Sequence, residues 1–166
     1  MEKILYIYNT HKRGDYLVIL DIDGFLVDID ERKKGILSGQ KNENINWKDF
    51  FKNIRKDKPI VAGTLIAKSI ISYLPQLDVM FLTSRTETVR RETLEWLSET
   101  LKVDENKIDL TMRPANNFDK DYIFKEQVGA ELGYKNIDLV FDDTEEIINM
   151  WRKHNVPCCR FFQRKE

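Results

Sequence analysis

Asp21 and Asp23 stand two residues apart and are followed by Gly24. At the end of a strand, side chains at i and i+2 leave the same face, so both carboxylates can point out of one sheet edge. Gly24 lets the backbone turn sharply straight after them. Carboxylates crowded this way repel unless a cation lies between them, and hard oxygen ligands suit Mg²⁺. Asp and Gly are also ordinary turn residues, so a solvated strand-to-turn junction is the plain alternative. Further polar groups follow apolar runs elsewhere: Thr83-Ser84-Arg85, Arg113, and the pair Asp142-Asp143. A carboxylate nucleophile with a second carboxylate two residues on suits phosphoryl transfer through an aspartyl-phosphate. That step needs a metal and cationic groups around the phosphate oxygens.

Such residues act together only if their strands end side by side. Tyr16 to Leu20 is a continuous apolar run and reads as a strand buried on both faces. Further strands are expected over Lys3–Tyr8, Asp78–Leu82, Ile108–Met112, Ile137–Phe141 and Pro157–Phe162. Helices are expected from Pro59 through Ser72, with Val61, Leu65, Ile66 and Ile70 on one side, and from Glu87 to Leu101. Two more are expected, one over Lys120–Leu132, with Gly133 at its end, and one from a Thr144 cap to His154. Strands alternating with helices imply βαβ units, a largely parallel sheet and right-handed crossovers. Ligands of such sheets sit at the carboxyl ends of strands, near the topological switch point. Asp21, Asp23, Thr83, Ser84, Arg85, Arg113, Asp142 and Asp143 all fall at those ends, and that convergence is the main argument from sequence. The expected fold is a single α/β domain over 1–166, a Rossmann-like three-layer sandwich with a central, mainly parallel five-stranded sheet. A polar stretch at about residues 28–58, with Trp47 to Ile54 at helical spacing, is expected to form a small cap-like insertion.

The Asp21-x-Asp23 run, with its strand before and Leu26-Val27 after, resembles the first motif of the haloacid dehalogenase superfamily. The order of the remaining elements agrees: a Thr after a hydrophobic strand, a helix Lys, then an Asp pair after another strand. The resemblance implies that Asp21 is the nucleophile that becomes phosphorylated. Asp23 then protonates the leaving oxygen and later activates water, its backbone carbonyl also facing the metal. Asp142-Asp143 supplies the remaining metal carboxylate, with a helix N-cap as the competing role. The Thr83 hydroxyl and the Ser84 backbone N–H bind a phosphate oxygen, with a strand-to-helix cap as the alternative. Lys125 neutralises the phosphate, a role that rests on the assembled pattern because a helix lysine alone is usually solvated.

A narrower resemblance is carried by Thr83-Ser84-Arg85, Thr93-x-x-Trp96-Leu97, Met112-Arg113-Pro114, Lys120-Asp121-x-x-x-Lys125, and Phe141-Asp142-Asp143 through Met150-Trp151-Arg152. Over residues 17–155 these resemble the phosphatase domain of phage-type polynucleotide kinase 3′-phosphatase. That likeness implies substrate roles for Arg32, Arg85 and Asp121, and prefers Asp143 to Asp142 as the metal carboxylate. Phe25 stands where the motif usually has Thr or Val, and Ser84 where the closer family usually has Gly. No GxxxxGK[ST] loop occurs, so a kinase half is not expected.

The composition, 42% hydrophobic and 33% charged, is that of a soluble globular protein, and 166 residues suffice for a full core. The formal net charge of −1 excludes a global basic field that recruits nucleic acid, though not a local groove. Arg32-Lys33-Lys34 is ordinarily just solvated, but its closeness to Asp23 suits a phosphate-backbone contact. Cys158 and Cys159 are adjacent, a poor geometry for an intrachain bridge, and read as buried reduced thiols in a cytoplasmic protein. No membrane span or signal-peptide core is expected. Trp96 and Trp151 read as packing residues, while Trp47 and Phe50-Phe51 have a modest claim on substrate. The expected activity is a Mg²⁺-dependent phosphomonoesterase acting on 3′-phosphates of DNA or RNA ends, with a separate kinase or ligase as partner. The alternatives are a phosphatase for free nucleotides or another small phosphate ester, and a non-catalytic binding module on the same fold.

Overall fold

In the computed structural model, which describes residues 15–30 and 54–162, the apolar run Tyr16–Leu20 forms strand β1. Leu17 and Ile19 enter one hydrophobic cluster and Val18 and Leu20 another, so the strand is buried on both faces. The chain then makes a two-residue strand β2 (Val27–Asp28), which pairs antiparallel with β3 (Lys58–Pro59). Four more strands follow: β4 (Leu77–Thr86), β5 (Asp109–Arg113), β6 (Leu139–Asp142) and β7 (Cys158–Arg160). With β1 they form a five-stranded sheet in the order β5-β4-β1-β6-β7, every pairing parallel.

The chain moves outward from β1 through β4 to β5, then returns to the other side of β1 for β6 and β7. That reversal puts the switch point at β1 and β6, where a ligand crevice is expected. Leu20 pairs with Phe141, and the Asp21 N–H donates to the Phe141 carbonyl at 3.0 Å. Asp21 and Asp142 therefore emerge side by side.

Helices α1 (Val61–Tyr73) and α2 (Arg90–Leu101) cover the face that carries Val18, Leu20 and Phe81. Helices α3 (Asp121–Leu132) and α4 (Glu145–Lys153) cover the other, with Phe124, Val128, Ile147 and Trp151 packed on Leu17, Ile19 and Leu82. The result is the expected three-layer α/β sandwich.

Four details differ from the sequence expectation. Strand β4 continues through Thr83-Ser84-Arg85 to Thr86, with a register shift between Thr83 and Thr86 where it pairs with β5. The apolar run stops at Leu82 because the last part of the strand lines the site rather than the core. Helix α1 begins at Val61, since Pro59 belongs to β3, where the missing N–H of an edge residue costs nothing. Its buried residues are Gly63, Thr64 and Ala67, while Val61 and Leu65 are exposed. A Cβ on Gly63 would lie 1.8 Å from the Phe25 carbonyl oxygen, so this small face sets how closely the helix approaches the loop after β1. Finally, Cys159 is exposed and Cys158 only half-buried, because β7 is an edge strand; both are free thiols.

Asp28 pairs with Lys58, so the two ends of the intervening stretch meet. The Lys3–Tyr8 strand, Arg32-Lys33-Lys34, Trp47 and Phe50-Phe51 lie outside the described residues. Among the described residues, no helix is long and apolar enough to cross a membrane.

Candidate active site

Strand alternation decides which side chains meet at the switch point. Ile19 of β1 and Val140 of β6 face the cluster beneath α3, and Asp21 and Asp142 continue those two rows. Helix α3 lays Phe124 and Val128 on that cluster and so carries the neighbouring Lys125 to the carboxyl edge. Lys125 Nζ lies 2.6 Å from Asp21 Oδ1 and 2.6 Å from Asp142 Oδ2, and all three residues are buried. Burial works against the charged ammonium, but Asp142 and Asp21 outweigh it and hold Lys125 above its ordinary pKa. Asp21 is pushed well above the usual carboxylate range, chiefly by burial; Lys125 opposes this, while Asp142 and Asp23 add to it.

The chain turns at Asp142-Asp143 through local hydrogen bonds. Asp142 Oδ1 accepts the Thr144 N–H at 2.9 Å, and Asp143 Oδ1 accepts the Thr144 hydroxyl at 3.1 Å. Thr144 is the residue before α4, yet its side chain caps no helix N–H. Asp21, Asp142 and Asp143 each offer a carboxylate oxygen, and these oxygens lie within 4.8 Å of one another. Three hard oxygens that close, with carboxylate charge exceeding the one ammonium beside them, fit a small divalent cation such as Mg²⁺. Space for the third comes from Gly24. Its φ is +90°, and a Cβ there would lie 2.1 Å from Asp143 Oδ2. Gly24→Ala is therefore expected to displace the Asp143 carboxylate and weaken Mg²⁺ binding about tenfold or more, by analogy with disturbed ligand support. Calorimetric titration of Mg²⁺ into the variant checks this; unchanged affinity counts against Asp143 as a ligand.

Asp23 points into a different environment. Arg85 grips it with two bonds, Nε to Oδ2 at 2.9 Å and Nη2 to Oδ1 at 2.7 Å. The same Nη2 reaches Asp57 Oδ2 at 3.1 Å, and Nη1 reaches Thr93 Oγ1 at 3.5 Å. Burial works against the guanidinium charge, but Asp23 and then Asp57 more than compensate, so its pKa is raised. Thr83 is fully buried, and its Oγ1 accepts the Arg85 N–H at 3.2 Å, which leaves the hydroxyl proton to be donated. The Ser84 Oγ is buried without a hydrogen-bond partner.

Two further arginines frame the edge. Arg113, at the end of β5, donates to the Asp119 carbonyl and to Asp121 Oδ1, and its guanidinium lies 5.4 Å from the Phe124 ring centre. Arg160, at the end of β7, donates from Nε to the Asp143 carbonyl at 3.1 Å and from Nη1 to Glu145 at 2.9 Å.

A family model for the polynucleotide kinase PNKP phosphatase domain matches residues 15–163. The chain belongs to that family. Solved structures share the fold of this PNKP-type phosphatase domain. A chain in the Pnkp1/Rnl/Hen1 complex superposes with a TM-score of 0.66 at 22% identity, over 97% of this chain and 50% of that one. The class C acid phosphatase from Bacillus anthracis, with tungstate bound, gives 0.55 at 15% identity, over 80% and 53%. A haloacid dehalogenase-like hydrolase from Streptococcus pneumoniae gives 0.55 at 9% identity, over 86% and 82%. This chain thus spans about half the length of the first of these. No curated protein matches the sequence.

In this phosphatase-domain family member, Asp21, Lys125, Asp142 and Asp143 are brought together, and Asp23, Thr83 and Arg85 form an adjoining group. Asp121 lies one turn before Lys125 on α3, paired with Arg113 rather than aimed at Asp21. Arg32 lies outside the described residues. Sequence reasoning missed Asp57, which is hidden in the charged run Arg55-Lys56-Asp57-Lys58, and Arg160, which the expected strand over Pro157–Phe162 placed mid-strand although the strand ends at it.

Proposed function

We propose that this chain is a Mg²⁺-dependent phosphomonoesterase that works through phosphorylated Asp21 and removes 3′-phosphates from DNA or RNA ends. The observation that carries the reading is the contrast between two carboxylates two residues apart. Asp21 faces Lys125 and the Asp142-Asp143 pair, while Asp23 is held apart by Arg85. Lys125, with a cation at Asp142-Asp143, would favour the ionised form of Asp21 that attack requires, and the acid–base role of Asp23 is taken from the family pattern. An Asp21 oxygen attacks phosphorus, the bond to the leaving oxygen breaks, and Asp23 gives that oxygen its proton. Water then attacks the same phosphorus, Asp23 takes the water's proton, and the bond to Asp21 breaks to release inorganic phosphate.

Lys125 offsets charge on Asp21 and keeps it oriented. The Thr83 hydroxyl and the Ser84 N–H are proposed to bind a phosphate oxygen, with Arg32 and Asp121 toward the substrate and Arg85 acting on it through Asp23, which it grips. Magnesium, when held by Asp21 and Asp143 with Asp142 and the Asp23 carbonyl beside them, supplies positive charge to the phosphoryl group. The family match supports a polynucleotide substrate, and the 3′ preference rests on the resemblance carried by Thr83-Ser84-Arg85, Met112-Arg113-Pro114 and Met150-Trp151-Arg152. Because the product is a free 3′-hydroxyl, the group that ligation requires, a separate kinase or ligase is the proposed partner.

The test is phosphate release from a 3′-phosphorylated oligonucleotide, its 5′ isomer, a 3′-mononucleotide and an aryl phosphate. The 3′ oligonucleotide is expected to be preferred, and chelation should abolish turnover until Mg²⁺ is returned. Equal activity on the 5′ isomer moves the assignment to a small-ester phosphatase. In the same panel, Asp23→Asn is expected to cost on the order of 10²- to 10⁴-fold on the nucleoside phosphates, whose leaving oxygen needs a proton. It should cost much less on the aryl phosphate.

A further inference from the structure

Asp57 sits where the chain enters β3, one residue before the Asp28–Lys58 pairing with β2. Arg55, Lys56 and Lys58 around it are exposed, yet the Asp57 side chain is only 2% exposed. A buried carboxylate is costly unless paired, and its partner here is the equally buried Arg85. The backbone is fixed as well, since Trp96 Nε1 donates to the Asp57 carbonyl at 3.0 Å. One guanidinium thus spans two carboxylates: Asp57 at 3.1 Å and Asp23 at 2.7 and 2.9 Å.

We infer that Asp57 is a positioning residue for the acid–base carboxylate, acting through Arg85. The inference rests on the proposed role of Asp23. A guanidinium held by one carboxylate can tilt with it, whereas one held at a second edge has a fixed plane and fixes its partner in turn. Thr93 and the Arg85 N–H to Thr83 bond tie the same residue to α2 and β4. Asp57, anchored by Trp96, extends that frame to the residues that lead into β3.

The test uses Asp57→Asn in the full chain, which keeps the shape and an acceptor oxygen but removes the charge. Misalignment of a proton donor is felt where the leaving oxygen needs a proton, so kcat on a nucleoside 3′-phosphate should fall about 10- to 100-fold. On p-nitrophenyl phosphate, whose leaving group needs no proton, kcat should fall less than about threefold, and KM should hold for both. A purely structural role lowers both substrates together; that result, or no loss on either, overturns the inference. If Asp57→Asn does not fold, Trp96→Phe serves instead: it keeps a ring in place and removes only the donor to the Asp57 carbonyl. It should show the same split at smaller amplitude, and a uniform loss or none overturns the inference. Asp23→Asn is measured alongside. If it lacks the split, the acid–base reading itself fails; if it shows the split and Asp57→Asn does not, only this inference falls.

Discussion

Asp21→Asn is expected to reduce turnover on every phosphate ester by on the order of 10⁴-fold or more, the loss typical of removing a nucleophile. The variant should remain folded. Asn keeps the shape and an oxygen that can accept from Lys125, and Lys125 retains Asp142 at 2.6 Å. Burial already works against the charge of Asp21, so a neutral replacement removes an unfavourable term along with the ion pair. A thermal midpoint near that of the parent, combined with lost activity on alkyl and aryl phosphates alike, is the expected pattern. It differs from that of Asp23→Asn, where aryl phosphates are spared. Appreciable turnover by Asp21→Asn on the aryl ester would remove it from the nucleophile's role.

Lys125→Met should be damaging in two ways. The ammonium is the shared partner of two buried carboxylates, and its removal leaves both of them facing each other. Breaking a buried pair from one side costs about 3–5 kcal/mol, so the thermal midpoint should drop clearly. Activity should fall about 10²- to 10³-fold even at temperatures where the variant is folded, as when one preorganised donor is lost from a charged site. Met fits because it preserves the length and the packing beside Phe124. Chemical denaturation and steady-state kinetics read the two effects separately. A variant as stable as the parent would mean that Lys125 contributes little to holding Asp21 and Asp142 together.

Much of the sheet was legible because its strands are buried on both faces and therefore written as unbroken apolar runs. Tyr16–Leu20 and the strands ending at Arg113 and Asp142 were placed within a residue or two. Asp21 and the Asp142-Asp143 pair stood out because polarity begins abruptly where those runs stop. Lys125 could be found only as part of an ordered pattern, since a buried lysine on a helix reads locally like a solvated one. The extension of β4 through Arg85 was hidden for the opposite reason: a strand that lines a polar site loses its apolar signature. Asp57 carried no local signal at all. Its burial depends on Arg85 and Trp96, 28 and 39 residues away in sequence, and its neighbours in the run are exposed. The direction of the Arg85 guanidinium was equally unreadable, since spacing can bring an arginine to the edge without saying which carboxylate it grips. On α1 the expected Ile66 and Ile70 do pack on the core, but Val61 and Leu65 are exposed. Close approach to Phe25 favours the Gly63 side of the helix over the more hydrophobic Leu65.

The central claim, that phosphate passes through Asp21, is tested most directly by trapping the intermediate. The protein is mixed with a 3′-phosphorylated oligonucleotide labelled in the terminal phosphate, quenched in acid within a single turnover, and digested for peptide mass analysis. The label is predicted on the peptide that contains Asp21, released by hydroxylamine as an acyl phosphate, and absent from Asp21→Asn. Phosphate release at the full rate with no label on that peptide, while the quench is faster than turnover, would contradict the account.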